Sequence, residues 1–189
     1  MLNAFVLPDD VALCASESRG PVLHVLVSEF QSAFAGINYE VDGQSRVVNA
    51  QAFGMSGSRF VRLYGGLAFH PFISEDALVF TLLHETGHHR ARGRRFAGDP
   101  SLACDCLADK WAIGAGARML RHRSGRVLKL SAALESLDAL ILSIDTSPRR
   151  LSRRNQQPQA CWAGLWTTRK SRLSCCSAPV PTGPCYYSR

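Results

Sequence analysis

The stretch His84-Glu85-Thr86-Gly87-His88 decides how this chain is read. His84 and His88 stand at i and i+4, so on a helix they share a face, one turn apart. Two imidazoles in that relation can share one tetrahedral Zn²⁺. Glu85 falls about 100° round the helix from His84, near enough to reach a metal-bound water without binding the metal. Zinc lowers the pKa of that water, and a carboxylate can take its proton as the hydroxide attacks a carbonyl. The three positions therefore have separate tasks. The plain alternative is a helix that happens to carry two histidines. The surroundings weigh against it, because Phe80, Leu82 and Leu83 make the approach to His84 apolar. Gly87 costs about 1 kcal/mol relative to Ala inside a helix. A small residue is useful there if another backbone must pack closely.

A catalytic zinc needs a third protein ligand and one open position. The downstream candidates are Asp99, Cys104, Asp105, Cys106, Asp109 and His122. Asp105 and Asp109 are again i and i+4 on a predicted helix. Asp105 could bind the metal while Asp109 holds a histidine N–H and fixes its tautomer. Two surface acids on a helix have the same spacing, so spacing alone leaves the pair open. Cys104 and Cys106 are rivals, although no Cys-x-x-Cys pair accompanies them. His122 or Tyr64 could stabilise the oxyanion of a tetrahedral intermediate. His89 faces away from His88 and reads as exposed or as a local cap, while His24 and His70 read as structural.

Outward from this centre, Ser74 is a predicted N-cap, with Glu75 and Asp76 in the first turn where the helix dipole favours negative charge. That helix runs to about Arg92, until Gly93 and a basic run break it. Upstream, the apolar spacing from Val22 to Phe34 predicts an amphipathic helix over Pro21 to Ala35, ended by Gly36. Ile37 to Val41 reads as a strand followed by a turn at Asp42-Gly43. Arg46 to Phe53 and Arg59 to Tyr64 read as two more, with Gly54, Ser56, Gly57 and Ser58 between them. Downstream, Pro100-Ser101 is read as the start of a second helix through Trp111 and Leu120, weakened at Gly114 and Gly116. Leu128 to Ile144 is a third, with one apolar stripe through Leu130, Leu134, Leu137, Leu140, Ile141 and Ile144.

The 189 residues suffice for one domain plus a tail. The expected division is a catalytic-type domain over 1–147 and a tail over 148–189, rich in Arg, Ser, Pro and Cys and without a sustained period. Much of the formal charge of +7 sits in Arg149, Arg150, Arg153, Arg154, Arg169, Lys170, Arg172 and Arg189. A basic tail of this kind reads as solvated rather than as a nucleic-acid partner. No apolar run approaches the ~18 residues that span a bilayer. Asp9 and Asp10, with no early Lys or Arg, make the start a poor signal peptide. The odd count of 7 cysteines reads as free thiols in a reducing compartment, and the chain as cytoplasmic.

Several segments together resemble a known family. Asn49-Ala50-Gln51-Ala52-Phe53, a glycine-containing turn and Arg59 to Leu67 lead to Asp76-Ala77-Leu78 and the His84 helix. Asp105-Cys106-Leu107-Ala108-Asp109 is similar to an "ExxAD" element. The pattern, over roughly Arg46 to Met119, resembles the HtpX and CAAX prenyl protease type of gluzincin metallopeptidase. The soluble ImmA-like peptidases share the motif. The resemblance implies a zincin-like α+β fold, in which a small antiparallel or mixed sheet packs on the HExxH helix beside further helices. It implies His84, His88 and Asp105 as zinc ligands, Glu85 as base and Asp109 as the partner of a ligand. It implies a peptide or protein substrate lying along the strand near Arg59 to Tyr64. Two departures stand out. Asp105 replaces the family's Glu and is one methylene shorter, and the membrane helices common in the family are absent. The expected activity is zinc-dependent hydrolysis of peptide bonds. A catalytically degenerate zinc-binding regulatory protein is the alternative.

Overall fold

The computed structural model of the protein describes residues 5–96 and 99–145. The expected tail, 148–189, lies outside them. Strand β1 (Phe5–Val6) precedes helix α1 (Ser16–Ala33). α1 starts ahead of the expected Pro21. The amides of Ser18 and Arg19 close its first turn on the Ala15 carbonyl. Pro21 then removes one helix hydrogen bond in the second turn. Burial of Leu23, Leu26, Phe30 and Phe34 holds the helix regardless.

Four strands follow: β2 (Asn38–Asp42), β3 (Val47–Val48), β4 (Ala50–Met55) and β5 (Ser58–Tyr64). The single strand expected over Arg46 to Phe53 is interrupted at Asn49. β3 pairs antiparallel with β1, whereas β4 pairs antiparallel with β5. The turn between β4 and β5 is Ser56-Gly57, with φ of 50° and 80°. Two positive φ angles make a type I′ turn, which matches the strand twist and favours glycine. β2 lies parallel to β5 on its other side, so the sheet is mixed, in the order β2-β5-β4. Val61 and Leu63 point into the core. Phe60, Arg62 and Tyr64 alternate to the outer face.

Helix α2 (Gly65–Ala68) leads to helix α3 (Glu75–Arg90). Ser74 caps α3 as expected, its Oγ accepting from the Ala77 N–H at 3.2 Å. Every residue of α3 from Ala77 to Gly87 is buried, polar and apolar alike. A helix buried all round lies in the middle of its domain. A short antiparallel hairpin comes next, β6 (Arg95–Phe96) with β7 (Asp99–Ala103). Here the helix expected from Pro100-Ser101 does not form. The proline disfavours helical backbone at Asp99. The Asp99 carboxylate accepts from the Ser101 amide and hydroxyl at 2.9 and 2.6 Å. Helix starts at Asp105, with α4 (Asp105–Trp111), a π turn (Ala112–Gly116) and α5 (Ala117–Ser124), which ends on left-handed Gly125.

Helix α6 (Leu130–Asp145) lays Leu134, Leu137, Leu140 and Ile144 into the core. Arg126, just before it, pairs with Glu29 of α1 and Glu75 of α3 and so ties three segments together. The described chain is thus a mixed α+β domain with small sheets and several helices. No helix among the described residues is long and apolar enough to cross a membrane. The thiols of Cys14 and Cys104 are free, as expected. Cys106 is disulfide-bonded, so the expectation of free thiols fails there.

Candidate metal centre

α3 supplies His84, Glu85 and His88, and α4 supplies Asp105 and Asp109. The two helices meet at Gly87 and Ala108. A Cβ placed on Gly87 would lie 2.7 Å from the Ala108 carbonyl oxygen and 2.8 Å from its Cα. Only glycine permits this approach, because the obstacle is backbone and cannot swing away. Asp105 lies three residues before Ala108 and Asp109 one after it, so the crossing brings both acids to the ligand face of α3.

The result is a tight group. His84 Nε2 and His88 Nε2 are 3.0 Å apart, and Asp105 Oδ1 is 3.7 and 3.5 Å from them respectively. These three residues could hold a metal ion, since one ligand atom from each lies within 4.8 Å of the others. The other nitrogen of each imidazole is also occupied. His84 Nδ1–H donates to Asp109 Oδ1 at 2.7 Å. His88 Nδ1–H donates to the Ala103 carbonyl at 2.7 Å. A carbonyl only accepts, so the proton sits on Nδ1 of His88 and the Nε2 lone pair faces the group. Such partners orient metal-binding histidines and raise their basicity.

Two facing imidazole lone pairs repel unless a positive charge lies between them. Burial pushes the His84 pKa down, but Asp109, Asp105 and Glu85 outweigh it, and the pKa rises to about 10. The carboxylates thus favour a positive charge at this spot, whether a proton or a metal cation.

Glu85 stands beside this group. Its Oε2 accepts the Ala52 N–H at 2.8 Å. Its oxygens lie 3.9 Å from His84 Nε2 and 4.0 Å from His88 Nε2. The carboxylate is therefore held next to the ligand atoms, and Glu85 as a residue is only 7% exposed. The Ala52 amide can reach it because β4 is an edge strand. The Tyr64 amide donates to the Asn49 carbonyl at 3.0 Å, so that pair is hydrogen-bonded across the ladder. Alternation then turns the amides and carbonyls of Ala50 and Ala52 outward, away from β5. This corrects the expectation for Arg59 to Tyr64. That segment is β5, the central strand, whose two edges are taken by β2 and β4. The edge beside the candidate centre is β4.

The other expected residues sit elsewhere. The Tyr64 hydroxyl donates to Gln51 Oε1 at 3.0 Å on the outer sheet face. His122 is exposed on α5, in a shallow depression with Ala115, Arg118, Met119 and Arg123. Neither joins the ligand group. Asp99 is engaged with Ser101. Cys104 is buried before α4 among Ala91, Ala103 and Leu107, outside the group. His89 is not exposed but half-buried, and its Nε2–H donates to the Phe60 carbonyl at 2.9 Å. This bond pins the end of α3 to β5. His70 is structural as expected, its Nδ1 accepting from the Phe72 amide at 3.3 Å.

Three contributors escaped the reading of the sequence: the Ala52 amide, the Ala103 carbonyl and the Gly87–Ala108 contact. The first two are main-chain groups, whose side chains carry no signal. Gly87 did carry one, as a costly glycine in a helix, but its partner could not be named. No family model, curated protein or solved structure matches the chain.

Proposed function

We propose that the protein is a small zinc-dependent endopeptidase with a zincin-like arrangement, as the resemblance to the HtpX and CAAX prenyl protease type implies. One observation carries this reading: three ligand atoms converge at separations close to those of a tetrahedral zinc site, with a carboxylate held beside them. Zinc bonds of about 2.0–2.2 Å to N and O in a tetrahedron place ligand atoms about 3.3–3.6 Å apart. The separations of 3.0, 3.5 and 3.7 Å straddle that range. His84, His88 and Asp105 would hold the ion, and a fourth position would stay open. When bound, zinc would polarise a water and a substrate carbonyl and lower the pKa of that water.

The rest of the chemistry falls to the chain. Glu85 takes the proton from the attacking water and later passes it to the departing amine. The Ala52 N–H holds Oε2, which leaves Oε1 free for that exchange. Asp109 and Ala103 keep the imidazoles in one tautomer. The outward Ala50 amide and the outward carbonyls of Ala50 and Ala52 would give an extended peptide an edge to pair with, while the Ala52 amide stays on Glu85.

Glu85→Gln tests the mechanism. The variant should keep its metal and lose hydrolysis of an unfolded protein such as reduced casein by about 10²–10⁴-fold, the usual weight of a general base. Cleavage at the wild-type rate would remove Glu85 from the mechanism. Zinc in the wild type without cleavage would instead favour a zinc-stabilised binding protein.

A further inference from the structure

We propose that Gly87 is a positioning residue for the metal, its missing side chain letting α4 come close enough for the short carboxylate of Asp105 to serve as third ligand. This rests on the zinc reading above and adds to it a reason for the pairing of Gly with Asp.

The argument begins with contact distance. Non-bonded carbons settle about 3.5–4.0 Å apart. The Cβ of an alanine at position 87 would be 2.8 Å from the Ala108 Cα. Relieving that clash moves α4 by about 0.7 Å or more, since both obstacles are backbone. Ligand distances in a metal site hold to about ±0.2 Å. The displacement therefore exceeds what the site tolerates. Ala108 lies between Asp105 and Asp109, so it would carry away both the ligand and the partner of His84.

The converse also follows. A glutamate is longer than an aspartate by one carbon–carbon bond, about 1.5 Å. At the present helix separation a glutamate at 105 would have to fold back to put an oxygen where Asp105 Oδ1 lies, 3.7 and 3.5 Å from the two Nε2 atoms. It would suit helices held farther apart by a side chain at 87. The two positions are thus coupled, with Gly paired to Asp and a larger residue paired to Glu.

The test is a double-mutant cycle on the full chain, read as zinc affinity by chelator competition and as the visible spectrum of the Co²⁺ form. Gly87→Ala alone and Asp105→Glu alone should each weaken zinc about 10- to 100-fold, the range seen when support for a metal ligand is lost. The double variant should bind more tightly than Gly87→Ala and recover the absorption of tetrahedral Co²⁺. A purely structural role for Gly87 would not give rescue by a change at position 105. If Gly87→Ala does not fold, Asp105→Glu alone still decides, because it leaves the helix crossing intact. Asp105→Glu binding as tightly as wild type, or a double variant no better than Gly87→Ala, overturns the coupling. Wild type without zinc overturns the metal reading and the coupling with it.

Discussion

α3 and α4 lend side chains to one centre but are held in place by different means. α3 has Ser74 as a side-chain cap, two acids in its first turn and burial from Ala77 to Gly87. Its position follows from the core. α4 has only the residues Asp105–Trp111, and Cys104 before it makes no side-chain cap. Its position depends on the hairpin that feeds it, on Leu107 packed with Ala91, Ala103 and Cys104, on the Cys106 disulfide, on Ala108 against Gly87, and on Asp109 against His84. One half of the centre is therefore fixed by the main core, and the other by a smaller cluster together with the contacts of the centre itself. Perturbing each half should give different signatures.

The largest effect is expected at α4. Asp109→Asn keeps the size of the side chain but removes the charge that orients His84. Zinc affinity should fall about 10- to 100-fold. An unchanged affinity in chelator competition would show that α4 does not depend on the centre in this way. A smaller effect, of another kind, is expected at α3. Ser74→Ala removes the bond to the Ala77 amide and should lower stability by about 1 kcal/mol in denaturant unfolding. Zinc affinity of the folded protein should be unchanged, and a drop there would erase the contrast between the two helices.

The smallest effect lies outside the centre, at His70. Burial, and then the nearby charge of Arg19, hold its pKa below 6.5. The folded state thus binds fewer protons than the unfolded state once the pH falls below the unfolded value. Stability contributed by neutral His70 is present above pH 6.5 and is lost as the pH falls through the folded pKa. His70→Asn keeps an acceptor for the Phe72 amide and removes the titration. Its unfolding free energy should change less between pH 7.5 and pH 5.5 than that of wild type. An equal change would assign the acid sensitivity to other groups.

The same contrast explains how much was legible in the sequence. α3 could be read because its signals are local: a cap, acids behind it and histidines one turn apart. Asp105 and Asp109 could be read as a spaced pair for the same reason. The sheet order could not. Whether Arg59 to Tyr64 lies at an edge depends on β2, whose residues Asn38–Asp42 are distant in sequence. The start of α4 was misread because Pro100 is as compatible with a strand as with a first helical turn. The pairing of Arg95 with Ala103 made the choice. The Ala52 amide and the Ala103 carbonyl were beyond reach, since only the folded chain puts main-chain groups beside a side chain.

The π turn at Ala112–Gly116 acts as a phase slip. Each π turn absorbs one residue more than an α turn, so the helix beyond it is rotated by about 100° relative to an uninterrupted α-helix. The face that carries Asp105 and Asp109 is thereby decoupled from the face of α5, where Leu120 is fully buried. One continuous rod serves two separate bearings, and substitutions that retune the far one need not turn the near one.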